Sequence, residues 1–233
     1  GSAYFTSSNV PSQLAPTPIF QSGSVFSIDG NPFLPAATQA ILSEAFGDGV
    51  DSDADGIDDT GTAFLRRRML EVGPRITDDQ INTHQFTIGM DGTLANGMAF
   101  DVFYSDGWMQ GSGTQDGNVS RTAFLDALLV TTDANGNAVC ISGGSCAPMN
   151  LWGKENISQA AADYVAIKVA SAYDYHLKSM GATLSGDTGM DLPGGDVLFV
   201  AGWEKRSEDA DYRPSQDLHT GNIAGFNGSP ASG

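Results

Sequence analysis

The stretch DLPGGDVLFVAGWEKR, residues 191–206, decides the fold. A turn-forming Leu-Pro-Gly-Gly opens into a run in which Val197, Phe199, Ala201 and Trp203 alternate with Leu198, Val200, Gly202, Glu204 and Arg206. Successive side chains of a strand point to opposite faces, so one face is apolar throughout and the other turns polar midway. Three more runs alternate in the same way. HQFTIGMDG (84–92) sets Phe86, Ile88 and Met90 against Gln85, Thr87, Gly89 and Asp91. GMAFDVFYSDGW (97–108) groups Met98, Phe100, Val102 and Tyr104, and SAYDYHLKSMG (171–181) groups Tyr173, Tyr175 and Leu177 against a charged ladder of Asp174, His176 and Lys178.

Two settings produce such strands: a sandwich that turns its apolar residues to a dry core, or a membrane barrel that turns them to lipid and its polar ones to a wet lumen. Periodicity alone does not choose between them. The spacing predicts one hairpin of 83–92 with 98–107 across TLANG, and a second of 171–184 with 195–207 across DLPGG. The two tight turns fall on one side. Between the hairpins lie a predicted strand at 119–130, a cysteine loop and a helix in ISQAAADYVA capped by Ser158. FLRRRMLEVGPR (64–75) alternates as a further strand, with Leu65, Arg67 and Met69 opposite Phe64, Arg66, Arg68 and Leu70. AATQAILSEAF (36–46) has helical spacing, with Gly47 placed to end it. Residues 1–35 show no clear strand beyond a short SVFSI. Short turns on one side with long decorated loops on the other is the build of an outer-membrane barrel.

Composition bounds the function. The 233 residues suffice for a large all-β domain, and 29 glycines favour turn-rich β structure. A net charge of −17 with 11 basic residues argues against nucleic acid, because phosphate binding needs clustered Lys and Arg. No apolar run reaches helical membrane-spanning length, which leaves a β-barrel open. The two cysteines, Cys140 and Cys146 in CISGGSC, are close enough to close a small disulfide loop in an oxidising compartment.

The motifs NPFLP (31–35), RRRMLEVGPR (66–75), DVFYSDGW (101–108), VCISGGSCAPMNLWG (139–153) with ISQAAADY (157–164), and DLPGGDVLFVAGWEKRSED (191–209) come in an order that resembles the β-barrel portion of TonB-dependent outer-membrane receptors. The resemblance covers roughly residues 30–230. It implies an antiparallel transmembrane β-barrel segment with long extracellular loops carrying short helices, in the outer membrane of a Gram-negative bacterium. Its partners would be outer-membrane lipid, TonB reached through a plug region, and a small-molecule or oligosaccharide ligand. The implied function is energised uptake of a scarce nutrient such as a ferric siderophore, cobalamin or an oligosaccharide, with no enzyme chemistry.

The chain has no TonB box, plug or terminal aromatic strand, and its ends lack a leader or closing element, so an internal fragment is expected. The expected division is a long loop with helix and acidic segment (1–62), strands and hairpin (63–107), a long loop with the cysteine pair (108–165), a hairpin (166–207) and the start of a loop (208–233). Val197, Phe199 and Trp203 would face lipid, with Tyr173 and Tyr175 in the same aromatic belt, and Glu204 and Arg206 would face the lumen or rim.

Few residues offer chemistry. DSDADGIDD (51–59) places Asp51, Asp53 and Asp55 at alternate positions before Gly56, with Asp59 further on, the front half of a calcium loop. Thr62 stands where a bidentate Glu is expected, so calcium is a weak candidate and a solvated acidic loop the plainer reading. Arg66, Arg67, Arg68 and Arg75 suit an anionic ligand or lipopolysaccharide phosphates, or simply balance that acidic loop. His84, His176 and His219 accompany no nucleophile, GSGTQDG (111–117) reads as a flexible loop, and carboxylates such as Glu204 with Glu208 or Asp209 carry no hydrolase signature. No catalytic residue is assigned. The alternative class is a secreted or surface calcium-binding β adhesion module.

Overall fold

A computed structural model describes residues 1–224, so the expected loop at 208–233 lies partly outside the described residues. The protein is all-β with antiparallel pairing and few helices. Five long strands make the main sheet in the order β1 (Ser2–Leu14), β4 (Arg75–Thr93), β5 (Ala99–Val119), β8 (Ala166–Leu192), β9 (Gly195–Pro214). Two tight turns, at residues 94–98 and 193–194, close its hairpins at one end.

Both long excursions leave from the other end. The first carries β2 (Pro18–Ser27), α1 (Ala36–Phe46), β3 (Thr60–Arg68) and a 3-10 turn at Leu70–Val72; the second carries α2 (Arg121–Asp126), β6 (Val130–Thr132), β7 (Ala138–Cys140) and α3 (Gln159–Val165). α4 (Gln216–Thr220) comes after β9 at the same end.

The hydrophobic core lies in these excursions and not on the sheet. Ile19, Phe26 and Ile28 meet Phe124, Ala127 and Leu128, and Ala161, Ala162 and Val165 complete the cluster with Met149. The excursions therefore fold together as a cap. It is tied to the strands by Thr17 Oγ1 donating to the Gly117 carbonyl at 2.8 Å, and Ser120 N–H, just past β5, donates to the carbonyl of Val165, just before β8, at 2.8 Å. Gly117 takes a positive φ of 76° at the irregularity in the β5–β8 pairing, where a Cβ would strike the Pro74 carbonyl.

Several expectations are corrected. Residues 2–14 are not loop but a sheet strand, registered from Ser2 opposite Thr87 to Leu14 opposite Arg75. GSGTQDG and the rest of 108–119 continue β5, and β8 and β9 run from 166 to 192 and from 195 to 214. Half of the predicted strand at 119–130 is α2, because the Ser120 hydroxyl accepts the Ala123 N–H at 3.2 Å and Phe124, Ala127 and Leu128 reach the core at helical spacing. Finally, the sheet is open: β1 and β9 have bare outer edges among the described residues, and no barrel closes.

Candidate functional site

Cross-strand register sorts the side chains of the sheet onto two faces, since directly opposed residues share a face. On one face, Met90, Val102, Ala182 and Trp203 form a row across β4, β5, β8 and β9, next to a row of Phe100, Leu184 and Ala201. Toward the cap this face continues through Ile88, Tyr104 and Met180 to a row of Phe5, His84, Trp108, His176 and Asp209. From there it is polar: Asn82, Gln110, Asp174 and Asp211 oppose one another.

The reverse face near the hairpin tips carries Thr87, Gly89, Ser105, Gly181, Thr183 and Glu204, with Phe103 lying over Gly181. On β4, β5 and β8 the apolar band thus belongs to one face and to the tip half of the strands, while on β9 the exposed Leu198 and Val200 lie on the reverse face. The run from Phe100 to Trp108 spans roughly 26 Å at about 3.3 Å per residue.

One expectation about faces fails. Tyr173 and Tyr175 oppose Tyr212 and Ala210, on the face of Glu204 and Arg206, so they cannot share a belt with Trp203. The ladder of Asp174, His176 and Lys178 lies on the face of Trp203. The polar residues of β8 and β9 are segregated along the strand as well as across it, which period-two counting does not detect.

At the upper limit of the band, Phe5 and His84 rings lie 4.8 Å apart, and His84 stacks on Trp108 at 5.5 Å. His176 Nε2 lies 2.7 Å from Asp106 Oδ1, whose other oxygen accepts the Tyr104 hydroxyl at 2.8 Å. An open groove of about 930 Å³ runs along this row.

The acidic segment rearranges the calcium candidates. Asp51 turns its carboxylate inward on its own loop, accepting Ala54 N–H at 2.7 Å and Gly56 N–H at 2.8 Å, and the Gly56 bond foremost holds its pKa below the usual range. Asp59 Oδ1 is occupied by the N–H and hydroxyl of Ser52, each at 3.2 Å. Asp53 and Asp55 instead converge with Asp29, with oxygens from all three within 4.8 Å of one another. The Asp55 N–H favours the Asp53 carboxylate, yet desolvation and the charges of Asp55 and Asp29 prevail and push its pKa up. Asp29 lies just after β2, far upstream, and no local spacing rule reaches it.

Cys140 and Cys146 form a disulfide with Cα atoms 6.0 Å apart, closing the loop after the β6–β7 hairpin. Ser158 caps α3, its hydroxyl accepting the Ala161 N–H at 3.2 Å. The arginines do not balance the acidic segment. Arg67 pairs with Glu71 at 2.5 Å and donates to the Leu151 carbonyl at 3.0 Å; Arg68 and Arg75 donate to the carbonyls of Pro16 and Ala15; Arg66 lies over the Phe64 ring. His219 lies on α4, away from the other two histidines.

No family model and no solved structure matches the chain. Over 75 residues, 31% of this chain, it is 33% identical to a ribosomal RNA small subunit methyltransferase C of Shewanella piezotolerans, and the match spans 22% of that protein. So short a similarity assigns neither a family nor an activity.

Proposed function

We propose that this chain is part of the barrel of a TonB-dependent receptor in the outer membrane of a Gram-negative bacterium, and that it takes part in energised uptake of a scarce nutrient. The observation that carries this reading is the apolar band on one face of the tip half of the sheet. A soluble sandwich covers its apolar face with a second sheet, whereas here Ile88, Met90 and Trp203 are 52, 61 and 57% exposed. Lipid is the solvent that accepts such a surface, and an apolar band about 25 Å tall is what a barrel presents to it.

The border of the band supports the same reading. It descends from Phe5 and Trp108 to Met180 on β8 and Trp203 on β9, a slant expected where strands tilt against a flat bilayer. The bare edges of β1 and β9 are sites for further strands of the same barrel, because an unpaired ladder in hydrocarbon is costly. In this reading the cap faces outward and meets the ligand, TonB acts through a plug region, and the chain performs no catalysis. Calcium on Asp29, Asp53 and Asp55 would brace the cap as an accessory ion.

The test is to produce the protein with its flanking coding sequence in a Gram-negative host and fractionate the envelope. The reading expects recovery in the detergent-resistant outer-membrane fraction, with heat-modifiable electrophoretic mobility and protease-accessible cap loops. Recovery as a detergent-free monomer would overturn it and favour a calcium-binding surface module.

A further inference from the structure

Above the row of Ala182 and Trp203, the same face of β8 and β9 carries two lysines in successive rows: Lys205 opposes Met180, and Lys178 opposes Ser207. They are diagonal cross-strand neighbours, about 7–8 Å apart at the backbone and within reach of each other's long side chains. Both are exposed, and neither lies within ion-pairing distance of a carboxylate among the described residues. Asp106 opposes Lys178 from β5, but one of its oxygens takes the Tyr104 hydroxyl and the other lies against His176 Nε2; Asp209 sits one row higher, opposite His176. Two like charges so placed repel unless an anion stands between them. That the chain has 28 acidic residues against 11 basic ones and still leaves this pair without a carboxylate makes the arrangement specific.

Below the lysines the face is apolar and grooved. Ala182 on β8 is flanked by Val102 and Trp203, and in the next row Ala201 follows Phe100 and Leu184. The two small side chains among large ones leave an open trough of about 370 Å³. Lys205 stands two residues beyond Trp203, about 7 Å along the strand, so the trough runs up to the ammonium groups. Hydrocarbon walls with two cations at one end fit an amphiphile that carries an anionic head.

We propose that this part of the sheet holds a lipid with a phosphomonoester head, a glycolipid of the lipid A type. An acyl chain lies in the trough over Ala182 and Ala201, and Lys178 and Lys205 share the phosphate. A phosphomonoester carries about −1.5 to −2 charge at pH 7, which two ammonium groups match, whereas the phosphodiester of phosphatidylglycerol supplies a single charge. The proposal rests on the outer-membrane reading and adds to it a particular lipid at particular residues.

Native mass spectrometry tests it, on the protein produced with its flanking coding sequence, purified in nonionic detergent and titrated with lipid A, dephosphorylated lipid A and phosphatidylglycerol. Lipid A is expected to stay bound, with phosphatidylglycerol about fivefold weaker and the dephosphorylated glycolipid on the order of twentyfold weaker. Lys178→Ala and Lys205→Ala, both at exposed positions, should each weaken lipid A about fivefold, while Lys154→Ala, which removes an exposed cation of the cap, should leave it unchanged. Equal retention of lipid A and either other lipid, unchanged binding in both β8–β9 variants, or as large a loss in Lys154→Ala would overturn the proposal. The outcomes separate from those of the membrane reading: insertion in the outer membrane without this preference sinks the lipid site alone, and recovery as a detergent-free monomer sinks the membrane reading and the site with it.

Discussion

The ring of Tyr173 on β8 covers Gly111, its direct cross-strand partner on β5, and Phe103 on β5 covers Gly181 on β8 in the reciprocal sense. Aromatic rings laid over glycines fill the gap that a missing side chain leaves and hold the register of two long strands. A Cβ on either glycine collides with the ring above it.

Gly111→Ala is accordingly expected to lower stability by about 1–3 kcal/mol through overpacking. Adding Tyr173→Ala should recover part of that loss, so the double variant is non-additive. Urea unfolding in detergent, monitored by tryptophan fluorescence, measures both. Purely additive effects would mean that the ring does not rest on the glycine.

Val102 and Thr183 occupy opposite faces of the tip half of the sheet. On the proposed transmembrane reading, Val102→Lys places a charge in the apolar band and should cost about 2–4 kcal/mol of folding stability in lipid, the depth-dependent cost of a lysine on a lipid face. Thr183→Lys should change it by well under half as much. Equal costs in phospholipid vesicles would remove the distinction between the faces.

Reduction of Cys140–Cys146, or Cys140→Ser with Cys146→Ser, releases a loop closed over a separation of six residues. Chain-entropy arguments put the cost at about 2 kcal/mol, because so small a loop gains little freedom when opened. The cap should melt earlier while the sheet keeps its far-ultraviolet circular dichroism.

Asp48 and Asp133 are held below the usual carboxylate range, Asp48 chiefly by the Thr60 hydroxyl and Asp133 chiefly by the Asn137 N–H. A depressed folded pKa adds stability that is fully present above the unfolded value and is lost as pH falls below about 3.9 toward the folded value. The cap transition should therefore move to lower temperature as pH falls below about 4. A Thr60→Val variant should show a smaller shift.

Asp53 has the opposite sign, because its raised pKa makes the ionised form unfavourable in the folded cap. That penalty is absent below the unfolded pKa and fully present above the folded one, so Asp53→Asn should raise the melting temperature at about pH 7. Calcium should raise it in the parent and do so less in Asp53→Asn. A parent unaffected by millimolar calcium would leave the loop as a solvated acidic turn.

The alternating runs at 84–92, 97–108 and 195–203, together with TLANG and DLPGG, are enough to place two hairpins and their tight turns, because there the two faces meet different surroundings and the pattern records it. The cap halves of β4, β5, β8 and β9 leave no such mark. One of their faces is polar and the other mixes Ile81, Met109, Tyr173 and Tyr212 with glycines and hydroxyls, so outside the 171–181 run period-two contrast is weak. β1 is illegible for a related reason: every one of its residues is exposed, and its pairing with β4 comes from chain partners more than sixty positions away.

Local spacing locates the α3 cap at Ser158 and brings Cys140 near Cys146, since both are short-range relationships. Tertiary structure alone decides that Asp29 joins Asp53 and Asp55, that Tyr175 and Trp203 turn opposite ways, and that Arg67 and Trp152 line one open pocket. A sequence pattern reports the surroundings of a segment one residue at a time. Which distant segments share a face or a cavity is set by cross-strand register and by the common core of the two excursions, and neither is written in any single stretch.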